Sequence, residues 1–223
     1  MDFGELSGLE MNEILVVPIS SIHQFLKEKR FIKIDFHLIH DILRHGTFKE
    51  RDNMETDVNY KQIIPYVIIK NHINQILCYR RSTKSGEERL HNRLSIGIGG
   101  HIEKNDEEFL PKSYSFKGFE LLGFSYNLFN SLLKEVYEEV GIRANIDDIE
   151  IVGIINDDRT NVGRVHLGVV CLLELDDEID INLGETDILL ERQLLSLDDI
   201  REHYSGLEEW SKIIIDNKSQ VFS

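Results

Sequence analysis

Four apolar runs in the middle of the chain do most to limit its fold. "QIIPYVIIK" and "INQILCYRR" are rich in β-branched and aromatic residues, and "NHIN" between them is a good hairpin turn. "IEIVGIIND" and "VHLGVVCLLEL" come later, with "DDRTNVGR" between them as a loop. Strands this apolar need cover on both faces, and helical patterns flank them. "IDFHLIHDILRHG" places Phe36, Ile39 and Leu43 on one side of a helix, with Gly46 as its stop. "SYNLFNSLLKEVYEEVGI" and "LEEWSKIIID" are amphipathic in the same way. The expectation is an α+β fold, a mixed central sheet sandwiched by helices.

The first part of the chain has a different texture. "EILVVPIS" reads as a short strand ended by Pro18. "SSIHQFLKEKR" follows, with Ser20 or Ser21 as its N-cap, and "FKERDNMETDVN" reads as a polar loop. Residues 1–58 are therefore expected to form an N-terminal extension or small subdomain packed on a main domain of residues 59–223. That extension could cap a pocket, pair with a second copy as a homodimer, or pad the fold.

Composition narrows the partners. With 223 residues, 41% of them hydrophobic, the chain can bury a sizeable core. A net charge of -15 argues against broad attraction to nucleic acid or an anionic membrane. It leaves a small anionic substrate open, because a divalent cation can invert the local field. Cys78 and Cys171 each sit inside an apolar run, which suggests buried small hydrophobes rather than a disulfide framework. No apolar run reaches the roughly 18 residues of a membrane span. The opening "MDFGELSGLEMNE" lacks the basic flank of a signal peptide. These features together lead us to expect a cytoplasmic protein.

The chemistry concentrates in "KEVYEEVGI". On the helix it ends, Phe129, Leu132, Leu133, Val136 and Val140 fall on one broad face. Glu135, Glu138 and Glu139, spaced i, i+3 and i+4, form a separate stripe. Gly141 fits the left-handed position that ends a helix. Three acids near a helix C-terminus repel one another and oppose the macrodipole. Taken alone, the stripe reads as a solvated acidic face; with a cation on it, the repulsion becomes an affinity for magnesium or manganese, which take hard oxygen ligands. Upstream, "SIGIGGHIE" packs Gly97, Gly99 and Gly100 among apolar residues. Such glycines mark either a bulge or a place where backbone comes close to a metal or phosphate.

Together the two stretches resemble the Nudix box, the family signature G-x5-E-x7-R-E-U-x-E-E-x-G-U, with U aliphatic. Gly100 matches the opening glycine, and Glu135, Val136, Glu138, Glu139, Gly141 and Ile142 match the end in register, with Lys134 in place of the arginine. "GGHIE" is similar to the GG-x-x-E lead-in of many members and adds Glu103. Ser131 is small where members often carry alanine. "QILCYRR" and "ERQLLSLDDI" resemble flanking segments of the family, the second without its tryptophan. There are two departures. Gly100 to Lys134 spans 34 positions where the family has 14, an insertion supplied by "NDEEFLPKSYSFKGFELLGFS" and expected to be a hairpin or ordered loop. The first box glutamate is missing: counting forward from Gly100 reaches Asp106, and counting back from Lys134 reaches Tyr126.

The resemblance implies a Nudix-type sandwich and a magnesium-dependent hydrolase cleaving a diphosphate linkage in a nucleoside diphosphate derivative. It implies metal ligation by Glu135, Glu138, Glu139 and the Gly100 carbonyl, with one glutamate taking the proton from water. Lys134 would hold a neighbouring carboxylate. Arg80, Arg81 and Arg93 are the candidates for the diphosphate, each equally at home in a surface salt bridge. Glu103 and His101 lie beside the glycines, and Glu185 in "NLGETDIL" is the candidate loop glutamate. The alternative is a Nudix-fold module that binds a nucleotide or protein partner without hydrolysis. His166 reads as a satisfied strand histidine, and His37, His40 and His45 as ordinary helix residues without partners at ligand spacing. Trp210 reads as a core anchor.

Overall fold

Strand β4 (Tyr60–Asn71) is the axis of the molecule. The chain is described by a computed structural model covering residues 12–26, 29–83, 91–175 and 189–223. In chain order the other strands are β1 (Glu13–Pro18), β2 (Phe31–Lys33), β3 (Thr47–Glu50), β5 (Ile76–Arg81), β6 (Leu94–Ser95), β7 (Ser115–Phe116), β8 (Phe119–Glu120), β9 (Ile149–Ile155), β10 (His166–Leu175) and β11 (Leu189–Leu195). The helices are α1 (Ile19–Ile22), α2 (Phe36–Leu43), α3 (Arg51–Met54), α4 (Phe124–Val140), α5 (Asn161–Val165), α6 (Leu197–Glu202), α7 (Glu209–Asp216) and α8 (Lys218–Val221).

The main sheet runs β11-β5-β4-β10-β9-β2. Only the β4–β10 pair is parallel, from His166↔Gln62 to Leu175↔Asn71; the remaining ladders among the described residues are antiparallel. The sheet is therefore mixed, as the apolar runs predict. Alternation along β4 builds both cores. Ile63, Val67 and Ile69 join α2 and α4 on one face, and Tyr66 and Ile68 join α7 and α8 on the other.

The second side of β4 changes partner part-way. β1 pairs with it as far as Gln62, and an isolated bridge from Ile98 takes over at Val67. Pro65, which has no N–H to offer a ladder, falls in the gap between them. The break makes room for the glycine segment. A Cβ on Gly97 would lie 2.1 Å from the Tyr66 ring, and one on Gly99 would lie 2.4 Å from the Pro65 carbonyl oxygen.

Three expectations need correction. Neither Ser20 nor Ser21 caps a helix: α1 begins straight after Pro18 and lasts four residues, with no side-chain cap. The polar stretch taken for a loop contains β3 and α3, because Glu13↔Glu50 through Val16↔Thr47 pair β3 with β1, a contact no local pattern reveals. The "NHIN" hairpin is real, with Asn74 at φ 61, but its strands share only the Lys70↔Ile76 pair before β5 turns to β6 and β11.

Candidate active site

Helix α4 forms as its periodicity requires. Leu128, Phe129, Leu132, Val136 and Val140 are fully buried, and Gly141, at φ 72, ends the helix with its N–H donating to the Tyr137 carbonyl at 2.8 Å. The three glutamates of the stripe do not share one environment. Glu139 is buried, Glu135 is half-buried and Glu138 is exposed. Gly100 lies directly against Glu135: a Cβ there would sit 2.3 Å from Oε1. Burial raises the Glu135 carboxyl to about 8, helped by the neighbouring charge of Glu139 and, less, of Glu138 and Asp106, with Lys134 opposing.

The insertion is built into this site. Lys134 Nζ donates to Asp106 Oδ1 at 2.7 Å, and the Asp106 side chain is only 3% exposed. Lys134 also lies 4.0 Å from Glu138. Counting forward from Gly100 thus reaches the carboxylate that partners the box cation, so the extra residues enter after Asp106. Tyr126, the other candidate, donates its hydroxyl to the Leu110 carbonyl instead. Asn130 on α4 fastens the loop, its Oδ1 accepting from the Phe109 and Leu110 N–H groups and its Nδ2 donating to the Glu107 carbonyl. The rest is the hairpin β7–β8, turned at Lys117 and Gly118, both with positive φ, and anchored by buried Phe116.

A cavity of about 450 Å³ opens on the α7 face, with Gly99 and Gly100 on its wall. Arg81 and Arg93 line it, and so does His101. Arg81 Nη2 donates to Tyr79 Oη at 3.2 Å. Burial alone would weaken its charge, but Tyr79, Glu139 and Glu208 nearby hold the guanidinium firmly protonated. Arg80 points elsewhere: its Nε donates to Glu191 at 2.7 Å and it does not line the cavity. Glu103 accepts from Asn12 Nδ2 at 3.3 Å and also stays off the wall. Glu185 lies outside the described residues. His101 shares a 2.7 Å hydrogen bond with Gln62 Oε1, and its imidazole is pushed down to about 3 by burial, with Arg51 and His166 adding to the effect. His166 is buried at the start of β10, its Nδ1 2.8 Å from the Val162 carbonyl oxygen.

Sequence reasoning missed part of this cavity. Arg51 reaches it from α3, in the stretch taken for a loop. Trp210, expected in the core, is a half-buried wall of the cavity beside Tyr66. Asp157 is held by two guanidinium groups: Arg30 donates to it at 2.7 Å and Arg159 at 2.8 Å. The acid–base pairing in "DDRT" was the one visible clue to it.

The donor chemistry suits a hard divalent cation. Carboxylate oxygens crowd where their charges raise one another, and the glycine opposite leaves space a side chain would fill. Among the described residues no three His, Cys, Asp or Glu side chains form a ready cage. Magnesium does not require one, since it commonly uses one or two carboxylates plus waters and substrate phosphates.

The whole-chain comparisons bear on the family and the fold. No protein-family model matches the chain. Protein YmaB of Bacillus subtilis is 34% identical over 171 residues, 74% of this chain and 75% of that protein. The crystal structure of Tm1382, a candidate Nudix hydrolase, superposes with a TM-score of 0.69 and 28% identity over 92% of this chain and 96% of that one. The chain belongs to the Nudix hydrolase superfamily. Its fold is the Nudix α+β sandwich. Between Gly100 and Lys134 the chain carries the β7–β8 hairpin, after Asp106.

Proposed function

We propose that the protein is a metal-dependent hydrolase that cleaves a diphosphate linkage in a nucleoside diphosphate derivative. The observation that carries this reading is the contact of Gly100 with the Glu135 carboxylate, beside buried Glu139. Glu135, Glu138 and Glu139, with the Gly100 carbonyl, would hold magnesium or manganese. When bound, the ion would neutralise phosphate charge and acidify a water. One of the three glutamates, or a loop glutamate, would take the proton from the attacking water. Lys134, fixed by Asp106, positions Glu138 and Glu135 and does not touch substrate. Arg81 and Arg93 bind the diphosphate from the cavity wall, and Glu185 is the proposed loop carboxylate.

The alternative, a module that binds without cleaving, rests on the departures from the box: Lys134 for its arginine, no glutamate at its first acidic position, and the insertion. A screen of dinucleotides, nucleotide sugars and nucleoside triphosphates with magnesium or manganese separates the two. The hydrolase reading expects phosphate or a nucleoside monophosphate to be released only when metal is present. Folded protein that releases nothing from any class, or the same amount with chelator, overturns it.

A further inference from the structure

The strand register under the cavity gives it two chemically different ends. The β4–β10 ladder pairs Gln62 with His166, Ile64 with Gly168 and Tyr66 with Val170. Residues two apart on a strand share a face, so these rows follow one another at about 7 Å intervals. At the first row sit His101, which shares a hydrogen bond with Gln62, and His166, whose Nε2 is 3.4 Å from that of His101. Arg51 and Gly100 line the cavity with them. At the far row Tyr66 meets Trp210 edge-on, with centroids 5.4 Å apart. The middle row leaves a hollow: a Cβ on Gly168 would come within 2.9 Å of Trp210 Cζ3. Glycine there lets the indole approach the sheet closely, beside the Tyr66 ring.

The charges are unequal as well. The cavity's acids are already engaged: Asp157 by Arg30 and Arg159, Glu209 by Lys212 at 2.8 Å, and Glu208 by the Tyr66 hydroxyl at 2.7 Å and by the N–H groups of Trp210 and Ser211. Among the described residues the one carboxylate that meets Arg51 is Glu55, at 3.3 Å from Nε in an exposed pair. Arg51 therefore brings positive charge to the histidine row, Arg81 and Arg93 bring more to the cavity wall, and Trp210 gives the far row an aromatic platform.

We propose that the cavity binds its substrate lengthwise along β4 and β10, with a planar aromatic ring stacked on Trp210 and its anionic group beside Gly100, where Arg51 adds a cation to Arg81 and Arg93. This rests on the hydrolase reading for the identity of the anionic group and adds the recognition of the ring. Trp210 sets specificity, and α3 supplies an anchoring cation from the N-terminal segment.

Trp210 is the sole tryptophan of the chain, so its emission reports on this end of the cavity directly. The full chain, with calcium in place of magnesium, is titrated with ADP, ribose 5-phosphate and inorganic pyrophosphate, and affinities are measured by calorimetry. ADP quenches the emission, and the two ring-free probes do not. Trp210→Leu weakens ADP binding about ten- to a hundredfold, the loss of one base–aromatic stack, and leaves pyrophosphate binding unchanged. Trp210→Phe recovers most of the affinity, which separates stacking from a packing defect. Arg51→Gln weakens all three probes. Equal ADP affinity in wild type and Trp210→Leu, or equal losses for ADP and pyrophosphate, overturns the proposal. Binding is read without turnover, so a chain that stacks ADP on Trp210 but cleaves nothing keeps this inference and removes the hydrolase. A chain that cleaves, with KM unmoved by Trp210→Leu, does the reverse.

Discussion

Glu135 on α4, packed against Gly100, and Asp157 after β9, on the cavity wall, are two carboxylates largely withdrawn from water, and they respond in opposite ways. Burial raises both. At Asp157 the hydrogen bonds and charges of Arg30 and Arg159 outweigh it and hold the carboxyl below its usual range. At Glu135 the strongest neighbouring charge is another acid, Glu139, and the carboxyl rises to about 8. Asp157 is a finished structural pair. Glu135 is an electrostatically incomplete group, which is why the proposed function places a cation beside it.

Catalysis should show the largest contrast. Glu135→Gln or Glu139→Gln is expected to lower kcat by a hundredfold or more, the scale of losing one group that stabilises transition-state charge. The melting temperature of the metal-free protein should hold or rise, because a repelling charge is removed. Asp157→Ala should do the opposite in stability, costing about 1.5–3 kcal/mol as two guanidinium groups lose their acceptor, or a fall of roughly 4–10 °C. A calorimetric scan showing both variants equally destabilised would erase the distinction.

Proton linkage sharpens it further. The folded-state value of Glu135 lies above its ordinary 4.5, so the folded state binds the proton more tightly. Its contribution is fully present below about 4.5 and is lost as pH rises toward 8. Asp157 has the reverse sign: its contribution is present above the ordinary carboxylate value and is lost as pH falls below it. Metal-free protein should therefore lose stability between pH 4.5 and 8 with a slope that Glu135→Gln flattens and that added magnesium also reduces. Denaturant melts across that range, with and without metal, measure it.

Lys134 provides the smallest test. Lys134→Met leaves the buried Asp106 carboxylate without its cation and should cost about 1–3 kcal/mol. Lys134→Arg, which keeps the charge and restores the residue of the family box, should change stability by under about 0.5 kcal/mol. A large loss in Lys134→Arg would mean that the inserted hairpin has adapted the pair to lysine.

Much of this was written locally. The apolar runs, the period of α4, its glycine stop and the spacing of Glu135, Glu138 and Glu139 all act within a few residues, so the sequence alone specified a mixed sheet, a helix and a carboxylate stripe. The failures lay where distant segments decide the outcome. "TFKE" becomes a strand only because β1 is there to pair with it, and Ser20 and Ser21 lost the cap to Pro18. Trp210 carries an amphipathic signature that fits a core residue equally well; only Gly168 and Tyr66, brought from other strands, make it a cavity wall. Asp106 was one of two counts until the fold placed it on Lys134. The sequence by itself thus determined which side chains could hold a cation. The tertiary structure alone decided which carboxylate is strained, which arginines face the cavity and where its aromatic end lies, because burial and charge proximity arise only when chain segments meet.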